Sequence, residues 1–147
     1  MQTYQGNISK EIAKNDILVF GSNTEGKHGK GTAKLAILYF GAIYGQAKGL
    51  QGHSYAIVTK NLTKSKHPSV DRNYIIEQID NLYMFAVERP EWKFYIPYNT
   101  TATNLNAYTP NQMAEMFAGT HNSIPDNVIF EETFGQLVQQ IKTNTIF

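Results

Sequence analysis

The side chains best suited to chemistry stand together near the start of the chain. Ser22, Asn23, Glu25, Lys27, His28, Lys30 and Thr32 are interleaved with Gly21, Gly26, Gly29 and Gly31. An apolar run over residues 17–20 precedes them and reads as a buried strand. Ala33, Leu35, Ala36, Ile37, Leu38 and Phe40 follow and read as a helix buried on most sides. Strand, glycine-rich loop, helix is the order that aims backbone N–H groups and a helix dipole at an anion. Four glycines in eleven residues exceed what a tight βα turn needs, so the segment reads as a phosphate cradle. Neither familiar nucleotide fingerprint fits. No G-x-G-x-x-G follows the strand, and Gly26 and Gly31 have P-loop spacing but are followed by Thr32 and Ala33 instead of Lys and Ser or Thr.

Bond cleavage at such a cradle needs a positioned water or nucleophile and an acid for the leaving group. Near the loop, Glu25 and His28 can move protons, whereas Asn23 can only orient a water or a sugar. A histidine between Lys27 and Gly29 reads first as an exposed loop residue. Lys60, at the end of a second apolar run over residues 55–59, can pair with a phosphate or condense with a sugar aldehyde; its plainer reading is a solvated charge.

Composition bounds the rest. The chain has 147 residues, which suits one domain. Thirteen Lys and Arg against twelve Asp and Glu give a net charge of +1, which makes nucleic acid an unlikely general partner and leaves room only for a local patch. With no cysteine, disulfides and thiolate metal sites are excluded, and the four histidines lack metal-ligand spacing, so no metal and no cofactor are assigned. The opening residues are not those of a signal peptide and no apolar run approaches ~18 residues, so a cytoplasmic protein without a membrane partner is expected, its oligomeric state open.

The elements that must hold the cradle follow from pattern. Residues 41–52 carry Gly41, Gly45, Gly49 and Gly52 and read as an ordered loop. Residues 60–68, with Lys60, Lys64, Lys66 and His67, read as an exposed loop. Ile75, Ile76, Ile79, Leu82, Tyr83 and Ala86 recur with helical spacing before Pro90. Residues 93–98 read as a third strand and 99–106 as a loop of Asn, Thr, Ala and Leu. Thr109, Pro110 and Gln112 make a capping box for a helix striped by Met113, Met116 and Phe117. Residues 127–130 form a short strand, and Phe134, Leu137, Val138 and Ile141 close the chain as an amphipathic helix. Near the start, Tyr4 suits an edge strand and Asn7 or Ser9 caps a short helix. Alternating strands and helices predict an α/β fold with a mixed, largely parallel sheet and helices on both faces, with ligands beyond the carboxyl ends of the strands.

Gly6-Asn-Ile-Ser9 followed by Asp16-Ile-Leu-Val-Phe-Gly-Ser-Asn23, with Gly29-Lys-Gly-Thr-Ala33 opening the helix, resembles the start of a macro domain. Phe20-Gly-Ser-Asn23, His28-Gly29, Gly41-Ala-Ile-Tyr-Gly45 and Ser54-Tyr-Ala-Ile57 look like a small phage-associated branch of macro-like proteins. The resemblance implies a single three-layer α/β/α domain over residues 1–147 that binds ADP-ribose or a related nucleotide. It implies that Asn7 and Ile8 meet the adenine, and that Gly21, Ser22, Asn23, Gly29, Lys30, Gly31 and Thr32 hold the phosphates and distal ribose. Tyr98, Asn99, Thr100 and Thr101 would close over the diphosphate. Departures accompany it. Asn7 replaces an aspartate and can equally serve as a helix cap. The second loop has no glycine, and Thr32-Ala33 stand where one hydrolytic type carries an aspartate. The Gln-Glu-Glu signature of poly-ADP-ribose glycohydrolases is absent, and Glu131-Glu132 fall after the last strand. The resemblance therefore implies a nucleotide binder with at most weak ADP-ribosyl hydrolase activity. The alternative is an interaction or structural module that keeps the fold and has lost the ligand.

Overall fold

The computed structural model describes residues 1–102 and 104–144. Thr103, inside the loop expected over 99–106, lies outside the described residues. In chain order the elements are β1 (Gln2–Tyr4), α1 (Ile8–Glu11), β2 (Ile17–Asn23), α2 (Gly31–Tyr39), β3 (Gly49–Gln51) and β4 (Ser54–Lys60). Then come α3 (Arg72–Val87), β5 (Phe94–Ile96), α4 (Pro110–Ala118), β6 (Val128–Glu131) and α5 (Glu132–Asn144). Six strands form one sheet in the order β1-β6-β5-β2-β4-β3. Every pairing is parallel except that of β3 with β4.

Parallel strands buried on both faces read as continuous apolar runs, which is why β2 and β4 were legible. Their residues divide by parity. Ile17 and Val19 face one way with Ile57, Phe94 and Ile96, onto α3, α4 and α5. Leu18 and Phe20, with Ala56, face the other way onto Ala33 and Ala36 of α2 and onto Phe40, with Ile8 of α1 beside them. The result is a three-layer α/β/α sandwich, as expected.

Three elements depart from expectation. Residues 49–51 are a strand, not loop: β3 runs antiparallel to β4, with Gly49 opposite Ala56 and Gln51 opposite Ser54. A three-residue strand with a single apolar side chain, Leu50, carries no period to read. The helix expected to be buried on most sides buries only Ala33 and Ala36, while Leu38 and Tyr39 are 57% and 73% exposed. Small side chains set α2 close to the sheet, and among the described residues no further helix covers its outer side. β5 stops at Ile96 because Pro97 has no N–H to give the ladder.

The carboxyl half of β4 is held from the side by α3. β3 reaches only as far as Ala56. Beyond it the Val58 N–H donates to Gln78 Oε1 at 2.7 Å, and Gln78 Nε2 donates back to Val58 O at 2.9 Å. The Gln78 carboxamide, buried on α3, stands in for the next strand. Two residues on, Asp80 ties α3 to the loop before β6. His121 N donates to it at 3.0 Å, and Asn122 N and Nδ2 each donate at 2.9 Å. Burial pushes the Asp80 carboxyl up; these hydrogen bonds outweigh it and hold the group below the ordinary carboxylate range.

Gln78→Leu removes the partner of two buried backbone groups and should cost about 3 kcal/mol in urea unfolding. Asp80→Asn should cost about 2 kcal/mol at neutral pH. Because the folded value lies below the unfolded one near ~3.9, this contribution is present above that pH and is lost as pH falls through the folded value. Wild type and Asp80→Asn should therefore converge in stability toward pH 2.

Candidate functional site

A cleft of about 590 Å³ opens beyond the carboxyl ends of β2, β4 and β5. Its floor is Gly21 of β2, Ile57 and Thr59 of β4, Ile96 of β5, and Met113 and Phe117 of α4. One wall is the glycine-rich loop leading into α2; the other is the loop after β5. Of the residues expected to bind ligand, Gly21, Ser22, Asn23, Gly29, Lys30, Gly31, Thr32, Tyr98 and Asn99 all line it. Asn7, Ile8, Thr100 and Thr101 are not among its lining. Asn7 is the N-cap of α1, where its Oδ1 accepts from Ser9 N at 3.0 Å and from Ser9 Oγ at 2.7 Å. Thr100 instead meets Thr133, Oγ1 to Oγ1 at 3.2 Å, and Thr101 closes an Asx turn on Asn99 Oδ1.

The glycine-rich wall is shaped from within and braced from below. Asn23 Oδ1 accepts from Glu25 N at 3.2 Å and Lys27 N at 2.9 Å, while its Nδ2 donates to Lys27 O at 2.8 Å. The carboxamide expected to orient a ligand thus chiefly folds the turn. His28 is the larger surprise, being 2% exposed and absent from the cleft lining. Its ring packs edge-on against Phe20, centroids 4.9 Å apart. Nε2 lies 3.0 Å from Gln46 O and 3.2 Å from Gln51 Oε1. A carbonyl only accepts, so Nε2 carries the proton and Nδ1 is left buried without a partner. Gln51 in turn accepts from Ile43 N at 2.7 Å and donates to Gln46 O at 3.1 Å. The histidine read as exposed is a plug joining the loop to residues 41–51. The same contact needs Gly26: Gly45 N donates to Gly26 O at 2.9 Å, and a β-carbon at Gly26 would lie 2.6 Å from Gly45 C.

At the top of this wall α2 begins. Its N-cap, Lys30, supplies no side-chain acceptor, so the first N–H groups of α2 have no helical or capping partner. Gly31 sits at φ +59°, and a β-carbon on Gly29 or Gly31 would meet nothing within 4 Å. Lys27, Lys30 and Lys60 also line the cleft, whereas among the described residues no Asp, Glu or His does. Glu25 instead faces solvent, its Oε2 3.9 Å from Lys27 Nζ.

The opposite wall is rigid for a different reason. The Tyr98 ring stacks on Phe134, centroids 4.0 Å apart and 15° from parallel. Asn104 Nδ2 donates to the Tyr98 hydroxyl and, at 2.9 Å, to Tyr108 O. Burial raises the Tyr98 phenol above its ordinary range, so it stays neutral. Residues that sequence reasoning did not single out complete the cleft. Tyr44 and Leu105 stand at its rim, 65% and 63% exposed, and the core stripe of α4 contributes Met113 and Phe117 to its floor. Tyr44 lay within the glycine-punctuated stretch, whose loops had no reason to be assigned to this end of the sheet.

Among the described residues no group of three His, Cys, Asp or Glu could hold a metal, and no helix is long and apolar enough to cross a membrane. No protein-family model matches the chain, and no curated protein matches it. Solved structures do. One is a chain titled alphavirus P23pro-zbd, superposing with a TM-score of 0.55 at 10% identity over 97% of this chain. The match takes in 24% of that chain, so the present protein spans about a quarter of its length. At that identity the likeness concerns the fold alone.

Two glycines of the loop should respond differently to substitution. Gly26→Ala forces a β-carbon into backbone and should cost more than about 2 kcal/mol in chemical denaturation. Gly29→Val points into open cleft without a left-handed backbone and should stay within about 1 kcal/mol of wild type.

Proposed function

We propose that this protein is a macro-like domain whose cleft binds ADP-ribose or a related NAD-derived nucleotide. The observation that carries this reading is the α2 N-terminus: uncapped by any side chain, opened by Gly29 and Gly31, and flanked by Lys27, Lys30 and Lys60. A diphosphate fits there because free N–H groups and the positive end of the helix dipole meet it together. Tyr98, Leu105, Met113 and Phe117 give the other end of the cleft the aromatic and apolar surface that a base or ribose needs. The volume is of the size that small-ligand sites take. The similarity of about residues 6–37 to macro domains supports the same assignment. An open cleft speaks against a module that has lost its ligand.

The reading is of a binder. A general acid or base contributes ~10²–10⁴-fold to rate, and among the described residues no Asp, Glu or His side chain lines this cleft. His28 is sealed beneath the loop, and the Asn23 carboxamide is engaged with backbone.

Thermal shift against ADP-ribose, NAD, ADP, ATP and a phosphate-free nucleoside tests this. ADP-ribose at ~100 times its dissociation constant should stabilise the fold by roughly 2.7 kcal/mol, and the nucleoside should not. Gly29→Val should abolish the shift while remaining folded. No shift with any phosphate-bearing nucleotide would overturn the assignment. Release of ADP-ribose from a modified protein should be slow in wild type and unchanged in Glu25→Gln; brisk release lost in Glu25→Gln would show that the binder reading is wrong.

A further inference from the structure

Net charge conceals a segregation. Between residues 26 and 70 stand seven lysines and no aspartate or glutamate, while the remaining positions carry six basic and twelve acidic side chains. Glu25 and Asp71 flank the basic stretch at its two ends, and within it the lysines stand without an acidic neighbour in sequence. The basic stretch supplies the glycine-rich loop, α2, β3, β4 and the loop after β4, which is the β2-β4-β3 side of the sheet. Asp126, Glu131 and Glu132 lie with β6, toward the opposite edge. Of the seven lysines only Lys27 has a carboxylate within 4.0 Å among the described residues, that of Glu25. Lys30 and Lys60 line the cleft, and Lys64 and Lys66 are exposed on the loop that leaves β4 directly from Lys60. Lys48 stands on the same side, its Nζ 3.3 Å from the hydroxyl of Tyr74. From Lys60 the basic residues Lys64 and Lys66 therefore follow without an acidic partner among the described residues, and Tyr44 offers an exposed ring at the cleft rim.

We infer that the same cleft also takes the terminal nucleotide of a single-stranded nucleic acid, whose following phosphates run over Lys60, Lys64 and Lys66. This rests on the cleft being a nucleotide site. Uncompensated lysines in a row suit a chain of phosphates, and an exposed aromatic ring beside them suits a base, which is how single strands are held without regard to sequence. A duplex keeps its bases paired and stacked, so it offers none to Tyr44 or to the apolar end of the cleft. An acidic peptide would meet the lysines but leave Tyr44 and the apolar end of the cleft unused. The low net charge that argued against nucleic acid averages two opposite halves.

Fluorescence anisotropy with an internally labelled single-stranded 12-mer, both ends free, tests the inference. Alongside it run the duplex, a covalently closed circle of the same sequence, and polyglutamate of equal length. The linear strand should bind most tightly. Its log affinity should fall with log salt at a slope of about −2 to −3, each neutralised phosphate contributing about 0.7. Lys64→Glu/Lys66→Glu, outside the cleft, should weaken the strand at least about tenfold at ~50 mM salt and flatten the slope by about 1.4. The same variant should leave calorimetric binding of free ADP-ribose within about twofold. The circle should bind at least about fivefold more weakly than the linear strand. No binding of the strand, equal binding of polyglutamate, or indifference to the Lys64 and Lys66 substitutions overturns the inference. Equal binding of the circle overturns the placement of the strand end. Strand binding with full dependence on Lys64 and Lys66 but no binding of free ADP-ribose would support the phosphate track and refute the nucleotide-site reading.

Discussion

The wall of the cleft depends on what lies under it. A loop with four glycines between Gly21 and Gly31 has little rigidity of its own, since glycine gives up more backbone freedom on ordering than any other residue. Here it is fixed from beneath by one buried ring. His28 presses on Phe20 and, through Nε2, holds Gln46 and Gln51. Gly26 lets the loop and the turn at Gly45 approach within backbone contact. With the underside fixed, the upper side can leave the start of α2 without a side-chain cap, with Gly31 and Thr32 in the cleft lining. An ordered loop binds an anion more tightly than a flexible one because the ordering entropy is lost at folding, not at binding.

The two walls reach rigidity by opposite chemistry. The first offers backbone and small residues; the second offers side chains already bonded to one another. Tyr98 is fixed by stacking on Phe134 and by Asn104, and Asn106 Oδ1 accepts from Tyr108 N at 2.9 Å. A wall of bonded amides and an aromatic ring cannot wrap a diphosphate as a glycine loop can. It suits instead the flat, mostly apolar parts of a ligand. Charge follows the same division, since the lysines of the cleft come from the first wall and from β4, and none from the second wall.

What could be read in the sequence was local. β2 and β4 announced themselves as apolar runs because a parallel strand is covered on both faces. The α4 start was legible because Thr109 and Gln112 bond reciprocally within one turn. The features that escaped are all decided by what a segment packs against. A His between Lys and Gly carries no mark of burial; its partners, Gln46 and Gln51, come from the segment that holds β3. Leu38 and Tyr39 have the hydropathy of core residues, and only the absence of a covering helix leaves them exposed. Asn7 fits a cap and a ligand contact alike, and the choice depends on whether α1 begins at Ile8. The site was half legible for the same reason. Its glycine wall is one continuous stretch, whereas Tyr44, Asn104 and Met113 arrive from three separate elements.

The pairing of Gln78 with Val58 has a consequence for how copies of this protein behave together. A sheet edge with unpaired N–H and C=O groups is a template for another strand, and long flat edges invite stacking of one molecule on the next. β3 shields only the first half of β4, so Val58 would otherwise offer such a template beside the cleft. The Gln78 carboxamide engages both groups from the side and ends the ladder with a group that cannot propagate it. At Val58 that edge of the sheet is thereby closed to pairing with a strand of another copy.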